Sequence, residues 1–194
     1  MFLLVGLGNP GPDYEHTPHN AGFRALDEFV RKMGLEWQTK FSSYLTECRL
    51  RIKGEPIAHA VLIKPQLFMN RSGMAVAEVL RFYKIKTHDL WVIHDELDLP
   101  LGRLKITYDR SAAGHKGVQS IIAILGTQKF YRFRIGVMPP EKPNLPDEYL
   151  TNRSVAPELE AQFNEGISQA AAALESALRQ GIVKARTEFN ATVM

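Results

Sequence analysis

Apolar residues along the chain fall into two periods, and the places where one gives way to the other outline the fold. Residues 2–7 are a short apolar run of strand length, stopped by Gly8-Asn9-Pro10-Gly11-Pro12, which neither helix nor strand survives. Phe23, Leu26, Phe29, Val30 and Met33 then recur at helical spacing, and the stripe closes at Gly34. Residues 43–52 alternate and, past Lys53-Gly54-Glu55-Pro56, a second apolar run at 57–63 predicts a hairpin. Ser72 opens another helical pattern, with Met74, Ala77, Val79, Leu80 and Tyr83. Leu90-Trp91-Val92-Ile93 reads as a buried strand ended by His94-Asp95-Glu96-Leu97-Asp98, and 103–108 and 131–137 read as two more. Between these two lie a loop, Asp109–Lys116, and a short helix, 117–125. Four prolines predict a loop over 139–150, and a long amphipathic helix follows over 158–180. Strands alternating with helices, plus one hairpin, predict a single α/β domain over 1–194, with a mixed twisted β-sheet and helices on both faces.

Composition narrows this picture. With 194 residues, 45% of them hydrophobic, the chain has material for a real core and is not disordered. No apolar run approaches the ~20 residues of a membrane span, and Met1-Phe2-Leu3-Leu4-Val5 lacks the basic region of a signal peptide. A cytoplasmic protein with no membrane partner is expected. Cys48 is the only cysteine, mid-strand in an alternating stretch, so a core position is expected and a disulfide framework is excluded. The formal net charge is only +3, but its placement is uneven. Residues 103–134 hold Arg103, Lys105, Arg110, Lys116, Lys129, Arg132 and Arg134 against one acid, Asp109. That polarity predicts one face for a polyanion.

The candidate chemistry sits at strand ends. Gly6-Leu7-Gly8-Asn9-Pro10-Gly11 has the G-x-G-x-x-G spacing of dinucleotide sites. Such sites open a helix at the last glycine, whereas Pro12 and Pro18 delay the helix to about residue 20, so no nucleotide cofactor is expected. The loop instead sets Asn9 beside a substrate. His19, in Thr17-Pro18-His19-Asn20, and Asp95 make a general-base pair: the carboxylate fixes the imidazole tautomer, and the other ring nitrogen takes a proton from water. No serine lies in G-x-S-x-G, and no paired-histidine spacing supports a metal among residues 94–98. Asn70, after Phe68 and Met69, is either a turn residue or an amide offered to a peptide carbonyl.

Taken together, Gly6-Leu7-Gly8-Asn9-Pro10-Gly11, Tyr14, Thr17-x-His19-Asn20-x-Gly22, Phe68-Met69-Asn70-x-Ser72-Gly73, His94-Asp95-Glu96-Leu97-Asp98, Gly114-His115-x-Gly117 and Arg132-x-Arg134-Ile135-Gly136 are in one order. This combination resembles the bacterial-type peptidyl-tRNA hydrolases. The resemblance implies hydrolysis of the ester between a peptide and the 3′ ribose of tRNA, with no metal or organic cofactor. It implies His19 as the base and Asp95 as its orienting partner. Asn9, Tyr14, Asn20, Phe68, Met69, Asn70, His115 and Lys116 would contact the substrate. Lys105 and Arg134 would contact the tRNA, and residues 139–157 would be a lid over the peptide channel. Peptidyl-tRNA is then the partner, with no obligate protein partner, and a monomer is expected. The chain departs from the family pattern at Pro18, usually Arg; at Ser111-Ala112-Ala113, usually glycine-rich; at Thr107, usually basic; and at Lys116, usually Asn. A second reading is a non-catalytic RNA-binding relative, like the plant chloroplast splicing factor that resembles these hydrolases.

Overall fold

The computed structural model describes residues 1–52, 55–152 and 154–191. Strand β1 (Phe2–Gly6) leads through two single 3-10 turns, Pro12–Tyr14 and Pro18–Asn20, into helix α1 (Ala21–Lys32). Strands β2 (Gln38–Lys40), β3 (Ser43–Ile52) and β4 (Glu55–Pro65) follow, and then α2 (Ser72–Tyr83) and β5 (Leu90–Pro100). Next come β6 (Leu104–Tyr108), α3 (Lys116–Leu125), β7 (Tyr131–Met138), α4 (Pro146–Asn152), α5 (Pro157–Gln180) and α6 (Ile182–Ala191). The Lys53-Gly54 turn expected between β3 and β4 lies outside the described residues, as does Arg153 in the 139–157 segment.

All seven strands form one sheet in the order β2-β3-β4-β1-β5-β7-β6. The four central strands pair in parallel, and β2, β3 and β6 run antiparallel to their neighbours. This is the mixed sheet expected. Apolar residues on its two faces make two cores. One joins Leu4, Leu62, Trp91 and Phe133 to α1 and α5 through Leu26, Phe29, Phe163 and Leu174. The other joins Leu3, Val5, Ile63 and Val92 to α2 and α3 through Val76, Val79, Val118 and Ile121. A central parallel strand is buried on both faces, which is why residues 2–7 and 90–93 read as continuous apolar runs rather than as alternating ones. Cys48 is 3% exposed, within the first core.

Three expectations change. Residues 94–98 do not end β5; the strand runs on to Pro100, pairing His94, Asp95 and Glu96 with Arg134, Ile135 and Gly136 of β7. Polar side chains hide that continuation in the sequence, because they serve a site rather than the core. Residues 139–150 are not all loop, since α4 begins at Pro146. A proline in the first helical turn loses no hydrogen bond there, and Asp147 and Glu148 suit the positive end of the helix. The sequence reading also places no helix over 182–191, where α6 packs on β6.

Strand β6 is the edge of the sheet, and α6 covers its open side with one amide. Asn190 accepts a hydrogen bond from the Ile106 N–H (2.7 Å) and donates one to the Ile106 carbonyl (2.9 Å), as a neighbouring strand would. Removing both partners strands two buried backbone groups. Asn190→Ala is therefore expected to destabilise the protein by about 1–3 kcal/mol, seen as a lower urea midpoint at unchanged slope. A wild-type midpoint would show that the pairing carries no stability.

Candidate active site

Parallel strands β1 and β5 bring the ends of three segments together at their carboxyl edge. Space, not phosphate binding, accounts for the first glycines. A Cβ on Gly6 would lie 2.5 Å from the Gly22 carbonyl oxygen, and one on Gly8 would lie 2.6 Å from the Phe23 ring. The start of α1 thus rests directly on β1 and the loop after it. Asn20 seals the contact. Its Oδ1 accepts from the Asn9 N–H (2.8 Å), and its Nδ2 donates to the Asn9 carbonyl (3.0 Å). Asn20 is 3% exposed, with both ends of its amide engaged by Asn9. Asn9 in turn accepts the Met69 N–H on Oδ1 (2.9 Å), which turns its NH₂ toward the cavity.

His19 and Asp95 meet as the sequence suggested. His19 Nδ1 lies 2.9 Å from Asp95 Oδ1, and both residues are buried. The unexpected partner is His115. Its Nε2 is also 2.9 Å from that same oxygen, while its Nδ1 caps α3 by accepting the N–H groups of Gly117 (3.1 Å) and Val118 (3.3 Å). Because Nδ1 is an acceptor, the proton must sit on Nε2, and His115 donates to Asp95. Asp95 Oδ1 therefore takes two N–H bonds, leaving Nε2 of His19 as the uncommitted nitrogen of that ring. His94 packs edge-on against His115, with ring centroids 4.7 Å apart, and donates from Nδ1 to the Asp95 carbonyl. No sequence spacing flags the contact of His94 with His115, because the two rings are brought together by β5 and the start of α3.

Burial and charge set the protonation states. Burial alone raises a carboxyl pKa, but the His19 and His115 charges and hydrogen bonds outweigh it and hold Asp95 well below the usual carboxylate range. For His19, burial lowers the pKa, yet the charge and hydrogen bond of Asp95 leave it raised above 6.5. His94 is held well below 6.5, first by burial and then by His115.

A cavity of about 520 Å³ opens on the pair. Asn9, Phe68, Met69, Asn70, His115 and Lys116 line it beside His19 and Asp95, joining six of the eight expected substrate contacts. Asn20 and Tyr14 stand behind. Tyr14 packs edge-on against Phe68 at 6.5 Å, and Phe68 is 58% exposed at the rim. Helix α4, within the segment expected as a lid, adds Asp147, Leu150 and Thr151, which the sequence reading does not single out. Lys116 points to Asp147 at 3.1 Å.

His19, Asp95 and His115 also bring three ligand-type atoms within 4.8 Å of one another. A metal needs lone pairs there, whereas both imidazoles direct N–H groups at the shared oxygen. The arrangement suits proton transfer.

The basic window is thinner than its composition. Arg132 is buried, donating to the carbonyls of Ser111 (2.6 Å) and Arg110, so it mounts the loop that carries His115. Burial first, then Arg134, lowers its pKa to about 10. Arg134 pairs with Glu96 at 2.8 Å. Lys105, Arg110 and Lys129 remain exposed, and Lys105 is directly across from Arg134 in the β6–β7 register.

A mixed-sheet α/β domain with a buried histidine–carboxylate pair facing a cavity is the class this fold and site define. Residues 3–194 match the family model described as peptidyl-tRNA hydrolase. A protein named peptidyl-tRNA hydrolase from Brevibacillus brevis is 44% identical over 191 residues, 98% of each chain. One of the same name from Carboxydothermus hydrogenoformans is 42% identical over 192 residues, again 98% of each. The crystal structure of peptidyl-tRNA hydrolase from Acinetobacter baumannii superposes with a TM-score of 0.86 at 27% identity, covering 98% of this chain and 95% of that one. The chain belongs to the peptidyl-tRNA hydrolase family.

The geometry ties the His19 titration to Asp95. With Asp95→Asn the raising charge goes and burial remains, so His19 is expected to titrate below 6.5 in the variant and above it in the wild type. Imidazole NMR shifts followed against pH measure both values. The raised His19 value means that its pairing stabilises the fold fully below the unfolded histidine pKa and fades as pH rises through the folded one. The depressed Asp95 value acts at the other end: its contribution holds above the unfolded carboxyl pKa and is lost as pH falls toward the folded one.

Proposed function

We propose that this enzyme hydrolyses the ester joining a peptide to the 3′ ribose of tRNA, with His19 as general base and Asp95 orienting it. The observation that carries the assignment is the 2.9 Å contact of His19 Nδ1 with Asp95 Oδ1 in a ring that faces the cavity. The family membership supplies the substrate class.

The neutral imidazole takes a proton on Nε2 as the oxygen of a bound water attacks the ester carbonyl. Asp95 steadies the imidazolium so formed, and the His115 N–H on the same carboxylate oxygen keeps Asp95 in place. The cavity-facing NH₂ of Asn9 and the exposed amide of Asn70 donate to the carbonyl oxygen as it gains charge. Collapse of the tetrahedral intermediate breaks the bond to the ribose oxygen. The proton held on His19 passes to that oxygen, leaving tRNA with a free hydroxyl and the peptide as a carboxylic acid, which ionises. Phe68 and Met69 offer apolar surface to the peptide, and residues 139–157, with α4 in their midst, act as the lid. Lys116, standing where the family usually has Asn, donates to substrate in the same direction an amide would. Lys105 and Arg134 attract the tRNA, Lys105 as an exposed cation and Arg134 from its pair with Glu96. The same reading has the enzyme acting as a cytoplasmic monomer, without cofactor or obligate protein partner.

Loss of the base removes the step it performs. His19→Ala is expected to lower kcat on a purified N-acetyl-aminoacyl-tRNA by about 10²–10⁴-fold at unchanged fold, with a smaller loss for Asp95→Asn. Near-wild-type kcat in His19→Ala would remove His19 from the mechanism. Excess chelator is expected to leave the wild-type rate unchanged.

Lys105→Glu is expected to raise KM for full-length substrate with little change in kcat, because it removes attraction felt equally before and in the transition state. The salt slope of kcat/KM should also flatten by about one counterion. A KM insensitive to both salt and this reversal would move the tRNA face elsewhere.

A further inference from the structure

The cavity beside His19 carries a charge pattern opposite to that of the exposed basic strand. Its lining includes four carboxylates, Asp95, Glu96, Asp98 and Asp147, against one cation, Lys116. Three of the four are occupied. Asp95 accepts two imidazole N–H bonds. Glu96 accepts from Arg134 Nε on one oxygen (2.8 Å) and from the Asp98 backbone N–H on the other (3.2 Å). Asp147 pairs with Lys116. Asp98 is exposed on the extended part of β5, and its carboxylate has no ion pair among the described residues.

We propose that Asp98 makes the peptide chamber charge-selective, so that esters of basic or neutral acyl residues are cleaved faster than esters of acidic ones. This rests on the peptidyl-tRNA reading above. With the ester carbonyl at His19, the side chain of the acyl residue lies in the chamber that Asp98 lines. An acidic side chain there meets an uncompensated carboxylate, and a basic one meets a partner. The same field acts on the product. Hydrolysis turns a neutral ester into a peptide carboxylate inside a negatively charged chamber, which favours its departure. Phosphates are repelled by the carboxylates of the chamber and attracted by the exposed Lys105, Arg110 and Lys129 on the outer surface. Two fields of opposite sign thus sort the two halves of one substrate.

One unit charge facing another at about 4 Å in water changes affinity by about fivefold. Screening and side-chain freedom reduce this, while the change from attraction to repulsion doubles its exponent. A ratio of about three- to tenfold between a basic and an acidic acyl residue follows at low salt.

The test acylates one tRNA body with N-acetyl-Lys, N-acetyl-Gln or N-acetyl-Glu and compares kcat/KM within each protein preparation. Taking ratios within a preparation cancels any loss of folded enzyme. In the wild type the order Lys, Gln, Glu is expected, with the spread shrinking as salt rises. Asp98→Asn should bring the Lys-to-Glu ratio close to one, and Asp98→Lys should invert it. Equal kcat/KM for the three esters in the wild type, or an unchanged ratio in Asp98→Asn, overturns the proposal. Failure to cleave any of the three would instead overturn the peptidyl-tRNA reading itself.

Discussion

A single carboxylate oxygen organises the site. Asp95 Oδ1 receives N–H groups from His19, on the turn that precedes α1, and from His115, at the start of α3. Those helices lie on opposite faces of the sheet, so the oxygen joins the two cores just past the carboxyl end of β1. A buried carboxylate without partners would cost several kcal/mol. Two imidazole donors make its burial tolerable, and the same arrangement leaves His19 with a free nitrogen facing the cavity. Protein stability and the proposed chemistry therefore draw on the same atoms.

The surrounding residues hold this arrangement by spending their polar groups on backbone. Asn20 is bound to both the N–H and the carbonyl of Asn9, and Asn9 is bound to Met69. Arg132 holds the loop before His115 by two carbonyls, and His115 itself caps α3 with its second nitrogen. Each loop at the site is thereby tied to a strand or a helix. The loop after β6 also contains two non-glycine residues in the left-handed region, Asp109 (φ 53°) and Ala113 (φ 46°). Such backbone persists when its surroundings over-determine it, and the buried Arg132 guanidinium does so here.

Charge divides the molecule by function. Composition alone places seven basic residues in one window, yet the fold buries Arg132 and pairs Arg134 and Lys116 with acids. The exposed cations of the window, Lys105, Arg110 and Lys129, sit on or beside the edge strand. Four carboxylates, Asp95, Glu96, Asp98 and Asp147, line the cavity. A small formal net charge conceals this separation, because the opposing sets nearly cancel in the sum.

Much of the fold was legible in the chain itself. The apolar runs at 2–7 and 90–93, the stripes of α1 and α2 and the long pattern of α5 each report a local periodicity, and periodicity follows from the geometry of one element. His19 and Asp95 were legible for a related reason: polar residues at the ends of apolar runs mark the edge where such sheets bind ligands. The continuation of β5 through His94–Pro100 was not, since its side chains answer to partners on β7 and to the site rather than to a core-facing alternation. Helix α4 was hidden by prolines that read as loop, and α6 by a weak apolar stripe; it packs on α5 and is tied to β6 through Asn190, 84 residues from Ile106. The sequence by itself determined which residues are apolar, where elements start and stop, and which groups can carry chemistry. Only the tertiary structure decided that His115 shares the oxygen of Asp95, that Asn20 serves Asn9, that Arg132 supports a loop and that Asp98 has no ion pair among the described residues. Hydrogen bonds and ion pairs between segments depend on the register and packing of distant elements, and local periodicity carries no record of either.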